Sequence, residues 1–274
     1  MQGTITQIIA LVLYGNRFLT TGEYDDFYPS NSVFNFCRAV TFVRQPSTEG
    51  ESNELPYASS PQQWFERLCE DGIHGLRVHY TPLNDDKISD RMMVGFVGGG
   101  GRWLIEALRD SNSDYWEARW NTTGKKETDD RIWTVTYSQV GSHSRQAEPS
   151  CATLGLVTKE LKRLLPRVQS FAELHRLDGF ARCFLNARKA LVASEPLSTV
   201  CHSDIAPSGT LRREAQALLA AAQAGWVFGG MGSWNDLGFD GEDQLTYNAL
   251  SDQLYAALNR AVVEATNTSY SGTA

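Results

Sequence analysis

The chain has 274 residues, 42% of them hydrophobic, with 25 basic and 32 acidic side chains and a formal net charge of −7. That length is enough to bury a substantial core without staples. The negative balance argues against nonspecific binding to nucleic acid or to an anionic membrane, both of which need a basic surface. The cysteines at 37, 69, 151, 183 and 201 form no CxxC pair, and the histidines form no HxH or HxxxH pair. Metal ligation wants closer spacing, so the expectation is reduced thiols in a cytoplasmic protein with no metal and no cofactor.

The first apolar run, Ile8 to Tyr14, is too short to cross a bilayer, which takes about 20 residues, and no basic segment precedes it as in a secretory signal. Residues 4–14 read as a buried helix stopped by Gly15, with a buried strand as the competing reading. Over 33–43, Phe34, Phe36, Val40 and Phe42 alternate with Asn35, Cys37 and Thr41, a strand pattern. The span 44–60 collects Pro46, Gly50, Pro56, serines and glutamates and reads as a mobile connector. Ser60 and Pro61 then open a helix as N-cap and first-turn residue. Trp64, Phe65 and Leu68 form its apolar stripe, and Gly72 ends it.

From His74 to Val140 the pattern is that of consecutive strands, near 75–81, 92–98, 102–108, 114–121 and 132–140, each alternating and each followed by turn chemistry or a polar linker. The glycine run 98–101 reads as a tight hairpin, because glycine tolerates positive φ. Trp103, Trp116 and Trp133 share the apolar parity. Arg77, His79, Glu106, Glu117, Arg119, Thr134 and Thr136 collect on the opposite face if the register holds. The 33–43 strand is a candidate sixth member.

After a polar linker over 141–151 the apolar period moves from two to about 3.6. Leu154, Val157, Leu161 and Leu164 form a stripe that stops at Pro166, and Ser170 with Glu173 reads as a capping box for the next helix. Further stripes run from Leu177 to Leu191, from Leu211 to Ala222 and over 242–266. Strands followed by helices give α+β: a central antiparallel meander of about five to six strands packed against C-terminal helices. A single domain over 1–274 is expected, with 1–145 mainly sheet and 146–267 mainly helical. A split near 145 is the alternative.

Two stretches invite a functional reading. Gly225 to Gly238 (GWVFGGMGSWNDLG) offers close backbone approach around Gly230, Trp234 as a stacking plate, and Asn235 and Asp236 as polar handles. The competing reading is a tight loop that packs Trp234 into the core. The polar sheet face offers a carboxylate, an imidazole and guanidinium groups on rigid strands, against the plainer reading of cross-strand ion pairs. Cys201-His202-Ser203-Asp204 contains nucleophile and base types. Adjacent residues point apart, however, and triads are assembled in space, so no catalysis is expected there. The expectation is therefore a non-enzymatic binding protein. Its partner, another protein or a small anionic ligand, would meet the sheet face or the glycine loop; nucleic acid and membrane are not expected partners. The alternative is a hydrolase or transferase acting on a small anionic substrate with His79, Glu117 and Arg119, or with Asp236.

Overall fold

A computed structural model describes residues 1–44, 54–83, 89–96, 99–122, 130–144 and 151–270. Strands β1 (Cys37–Arg44), β2 (Leu55–Ala58), β3 (Gly75–Thr81), β4 (Arg102–Leu108), β5 (Asn112–Thr122) and β6 (Trp133–Ser144) form one sheet in the order β2-β1-β6-β5-β4-β3. Neighbours are antiparallel except β1 and β6, which run parallel with Val40 opposite Val135 and Phe42 opposite Tyr137. The helices are α1 (Gly3–Thr21), α2 (Pro61–Glu70), α3 (Asp90–Met93), α4 (Cys151–Leu174), α5 (Asp178–Ala190), α6 (Arg213–Gly225) and α7 (Gly241–Asn267). The fold is α+β, with a mixed, mostly antiparallel sheet against which the C-terminal helices pack.

Alternation sorts the sheet as its sequence implies. Val40, Phe42, Leu76, Val78, Ile105, Trp116, Val135 and Tyr137 are all buried on one face. Trp64 of α2 closes over them: Phe42 stacks on it at 4.4 Å and 8°, and Trp116 meets it edge-on at 5.5 Å and 76°. Trp103 joins this dry layer, whereas Trp133 lies at its margin, only partly buried.

Helix α1 is buried on every side from Ile5 to Asn16, as expected of a helix that is apolar all round. Gly15 does not stop it. A Cβ there would come within 2.4 Å of Leu76 Cδ1 and 2.9 Å of Phe65 Cε1, so glycine lets α1 approach β3 and α2 closely. The helix continues to Thr21, and Gly22 at φ 72° ends it.

Strand β3 forms one edge of the sheet, and its outer backbone is met by two asparagines. Asn16 accepts from Leu76 N at 2.6 Å and donates to Leu76 O at 2.9 Å. Asn267, at the end of α7, accepts from Val78 N at 2.7 Å and donates to Val78 O at 2.9 Å. Each side-chain amide stands where the peptide of a further strand would lie. The other edge, β2, is short and carries Pro56, both of which discourage pairing with another chain.

Several local readings are corrected. Of the strand expected over 92–98, residues 92–96 are not a strand: Asp90–Met93 is a helical turn, and residues 97–98 lie outside the described residues. Buried Val94 and the carbonyl of Gly100, which accepts from Tyr255 at 2.6 Å, tie this segment to the helices instead of to β4. At 33–43 the strand begins only at Cys37; Ser32–Phe34 is a 3-10 turn and Phe36 is exposed. Within 44–60 lies β2, paired with β1, and the mobile-connector reading of 45–53 falls outside the described residues. Strand β6 extends into the supposed linker as far as Ser144. Helix α4 runs through Pro166, and Glu173 accepts from Gln169 at 2.7 Å instead of capping a new helix. Buried Leu164, Leu165 and Val168 on both sides of the proline offset the ~3 kcal/mol cost of a mid-helix proline.

Replacing Asn267 with leucine leaves the N–H and C=O of Val78 unpaired in a buried setting. Stability is expected to fall by about 2 kcal/mol or more, read as a lowered urea midpoint. A midpoint unchanged from wild type would contradict the edge-strand role.

Candidate functional site

The register brings Arg77, His79, Glu106, Glu117, Arg119, Thr134 and Thr136 to one face of the sheet. There, most of their polar groups engage one another or nearby side chains. Arg77 and Glu106, both buried, pair at 3.0 Å, and Tyr115 donates to Glu106 at 3.1 Å. Burial and the Glu106 carboxylate push the Tyr115 hydroxyl up to about 12. Arg102 grips Glu117 through two bonds, at 3.0 and 2.6 Å. Glu54 accepts from Arg119 at 2.6 Å and from Ser138 at 2.9 Å, and the bond from Arg119 holds its carboxyl below the usual range. His79 bonds Thr81 at 3.0 Å, and burial lowers its imidazole pKa. Thr136 meets Thr41 at 3.4 Å. The face is a ladder of cross-strand ion pairs and hydrogen bonds.

The glycine-rich loop is largely spent on packing. Trp234 is fully buried, donates to Ser251 at 2.7 Å, and is met edge-on by Phe180 and Phe184 at 5.2 Å each, so it is not a stacking plate for a ligand. Asp236 accepts from Ser233 N at 2.9 Å in a capping box for the 3-10 turn Trp234–Asp236. Asn235 donates to Arg91 O at 2.6 Å, and Arg91 reaches Asp252 of α7 at 2.8 Å. Gly230 is exposed beside Gly229, whose φ of 130° suits glycine.

A third place emerges where none was expected. His202 and Asp204 do converge, on Ser32, which lies 170 and 172 positions away. Asp204 accepts from the Ser32 hydroxyl through one carboxylate oxygen and from Ser32 N at 2.7 Å through the other. Its backbone carbonyl accepts from Asn31 at 2.6 Å and Tyr14 at 3.0 Å. His202 Nδ1 lies 2.8 Å from Ser32 Oγ. No local pattern signals this arrangement, because the partners come from opposite ends of the chain. Burial lowers the His202 pKa, and the Asp204 carboxylate opposes the shift.

This cluster opens on a cleft of about 480 Å³ beside the N-terminus of α1, between the first residues of β1 and β6 and the end of β5. Trp120 and Trp133 line it, edge to face at 5.8 Å, with Val33, Phe36 and Cys37. The Cys37 thiol accepts from Gln7 at 3.5 Å, and burial raises its pKa, which keeps it an unreactive thiol. Among the described residues no group of three or more His, Cys, Asp or Glu side chains is placed to hold a metal ion, and no helix is long and apolar enough to cross a membrane. No family model, curated protein or solved structure matches this chain.

Two outcomes follow from these electrostatics. Glu106→Gln breaks a buried pair and is expected to cost about 3–5 kcal/mol, more than the double replacement Arg77→Met with Glu106→Leu; chemical denaturation of both variants measures the difference. His79 and His202 carry folded-state pKa values below the ordinary ~6.5. The unfolded chain therefore binds their protons first as pH falls. Their contribution to stability is full above about pH 6.5 and declines as pH drops toward the folded values. Urea midpoints between pH 7.5 and 5.5 are expected to fall less steeply in His202→Gln than in wild type.

Proposed function

We propose that the chain is a binding protein rather than an enzyme, and that its ligand is a small molecule held in the cleft beside the N-terminus of α1. The observation that supports this most is the cleft itself. It is of small-molecule size, its walls are aromatic, and a few polar groups converge at one end, the combination that marks ligand sites. Catalysis has less support. Asp204 accepts the hydrogen bond donated by the Ser32 hydroxyl, so His202 is not the base that would activate that hydroxyl. Asp236 and the charges of the sheet face are already engaged.

A second reading, a protein partner at the glycine loop, is favoured by one observation. The segments that meet at Gly95 and Gly229 carry exposed Met92, Phe96 and Met231, the last fully exposed. One buried apolar cluster running from α1 to α7 supports a single domain, and the free thiols Cys37, Cys69, Cys183 and Cys201 suit a reducing, cytoplasmic setting.

The test is a fragment screen followed through the indole N–H resonances of Trp120 and Trp133, assigned with Trp120→Phe and Trp133→Phe. Fragments that bind are expected to shift these two signals before those of buried Trp64 and Trp116. Binders that leave both unmoved would contradict the cleft reading, and loss of a captured protein partner in Met231→Glu would favour the second.

A further inference from the structure

We infer that the cleft takes an uncharged planar aromatic compound bearing an N–H or O–H donor, with its ring against Trp120 and Trp133 and its donor on His202 Nε2. The inference deepens the small-molecule reading and rests on it.

The hydrogen-bond chain fixes the polarity of the histidine. A carboxylate only accepts, so the Ser32 hydroxyl, held by Asp204, spends its single proton there. Ser32 Oγ then has only lone pairs to offer, and the neighbouring His202 Nδ1, at 2.8 Å, must carry the hydrogen. In the neutral ring the remaining nitrogen, Nε2, is therefore an acceptor. Burial favours that neutral form. Asp204 is itself held through its backbone by Asn31 and Tyr14, so the imidazole is oriented before any ligand arrives.

The rest of the lining narrows the ligand's character. Among the described residues no Lys, Arg, Asp or Glu side chain lines the cleft, and burial lowers the pKa of the Met1 amino group that does; a charge desolvated there without a partner is unfavourable. That departs from the small anionic ligand expected from sequence. The Thr6 hydroxyl is turned back onto the Gln2 and Gly3 carbonyls and is not offered to the cleft. Two indoles supply ring surface for offset or edge-on contact. The His202 acceptor supplies direction.

The probes are indole and benzofuran, which share a shape but differ in the N–H, and benzoate as the anion. Affinities come from titrating the Trp120 and Trp133 indole N–H signals at pH 7.5. Indole is expected to bind at least about tenfold more tightly than benzofuran, because benzofuran leaves the acceptor unmatched. His202→Leu should abolish that preference, and His202→Gln, which keeps an acceptor on a similar reach, should restore part of it. The spectrum and urea midpoint of each variant establish that it is folded. In wild type, where the Asp204 carboxylate and the Met1 amino group both act on His202, the preference should shrink as pH falls and Nε2 becomes a donor.

Equal binding of indole and benzofuran, or a preference that survives in folded His202→Leu, would overturn the donor assignment while leaving the cleft as a site. Tighter binding of benzoate would overturn the uncharged class. If neither these probes nor any fragment shifts Trp120 or Trp133, the small-molecule reading itself falls.

Discussion

Two asparagine side chains hold the edge strand β3 in place, and much of the molecule depends on that. An edge strand presents unpaired N–H and C=O groups that water, another chain or a side chain must meet. Here Asn16 and Asn267 meet them with paired donor and acceptor bonds. Because the amides belong to α1 and α7, the same bonds that finish the sheet also fix the first and last helices against it. Hydrophobic burial has no direction; these four bonds set the register of helix against strand. Asn16 also donates to Ser269 at 2.8 Å, which joins the two clasps.

With α1 fixed at one end by Asn16, its other end is carried over the ends of β1, β5 and β6, where the cleft lies. The parallel pairing of β1 with β6 brings Cys37 and Trp133 side by side at that end. The loop carrying His202 is then pinned to the 3-10 turn after Asn31. The candidate site is thus built from five separated segments of the chain.

Period-two alternation made the strands of the middle third legible, along with the parity that separates Trp116 from Glu117. The clearest failure there was 92–98, a short apolar stretch with too few turns to declare its period. Tertiary contacts overrode local signals at Gly15 and Pro166, whose roles depend on what packs beside them. The competing view of the glycine loop, that it serves the core, was available from the size of Trp234 alone. Asn16 at the end of an apolar run was a visible oddity whose meaning needed β3 beside it. The meeting of Ser32 with His202 and Asp204 left no trace in sequence, since it joins residues 170 or more positions apart.

The Ser32 cluster can be divided by what each bond is needed for. Asp204 alone docks its loop: it binds the backbone and hydroxyl of Ser32 with its carboxylate and receives Asn31 and Tyr14 at its carbonyl. Buried Ile205 adds apolar anchoring next to it. Removing the His202 bond would leave that docking intact. What the bond does accomplish is to select one ring tautomer and one ring orientation at the wall of a cleft. Groups held in advance lose less freedom when a ligand arrives. The ring polarity of His202 is thus dictated by an aspartate held by four hydrogen bonds, two at its carboxylate and two at its carbonyl, an arrangement suited to the recognition proposed for the cleft.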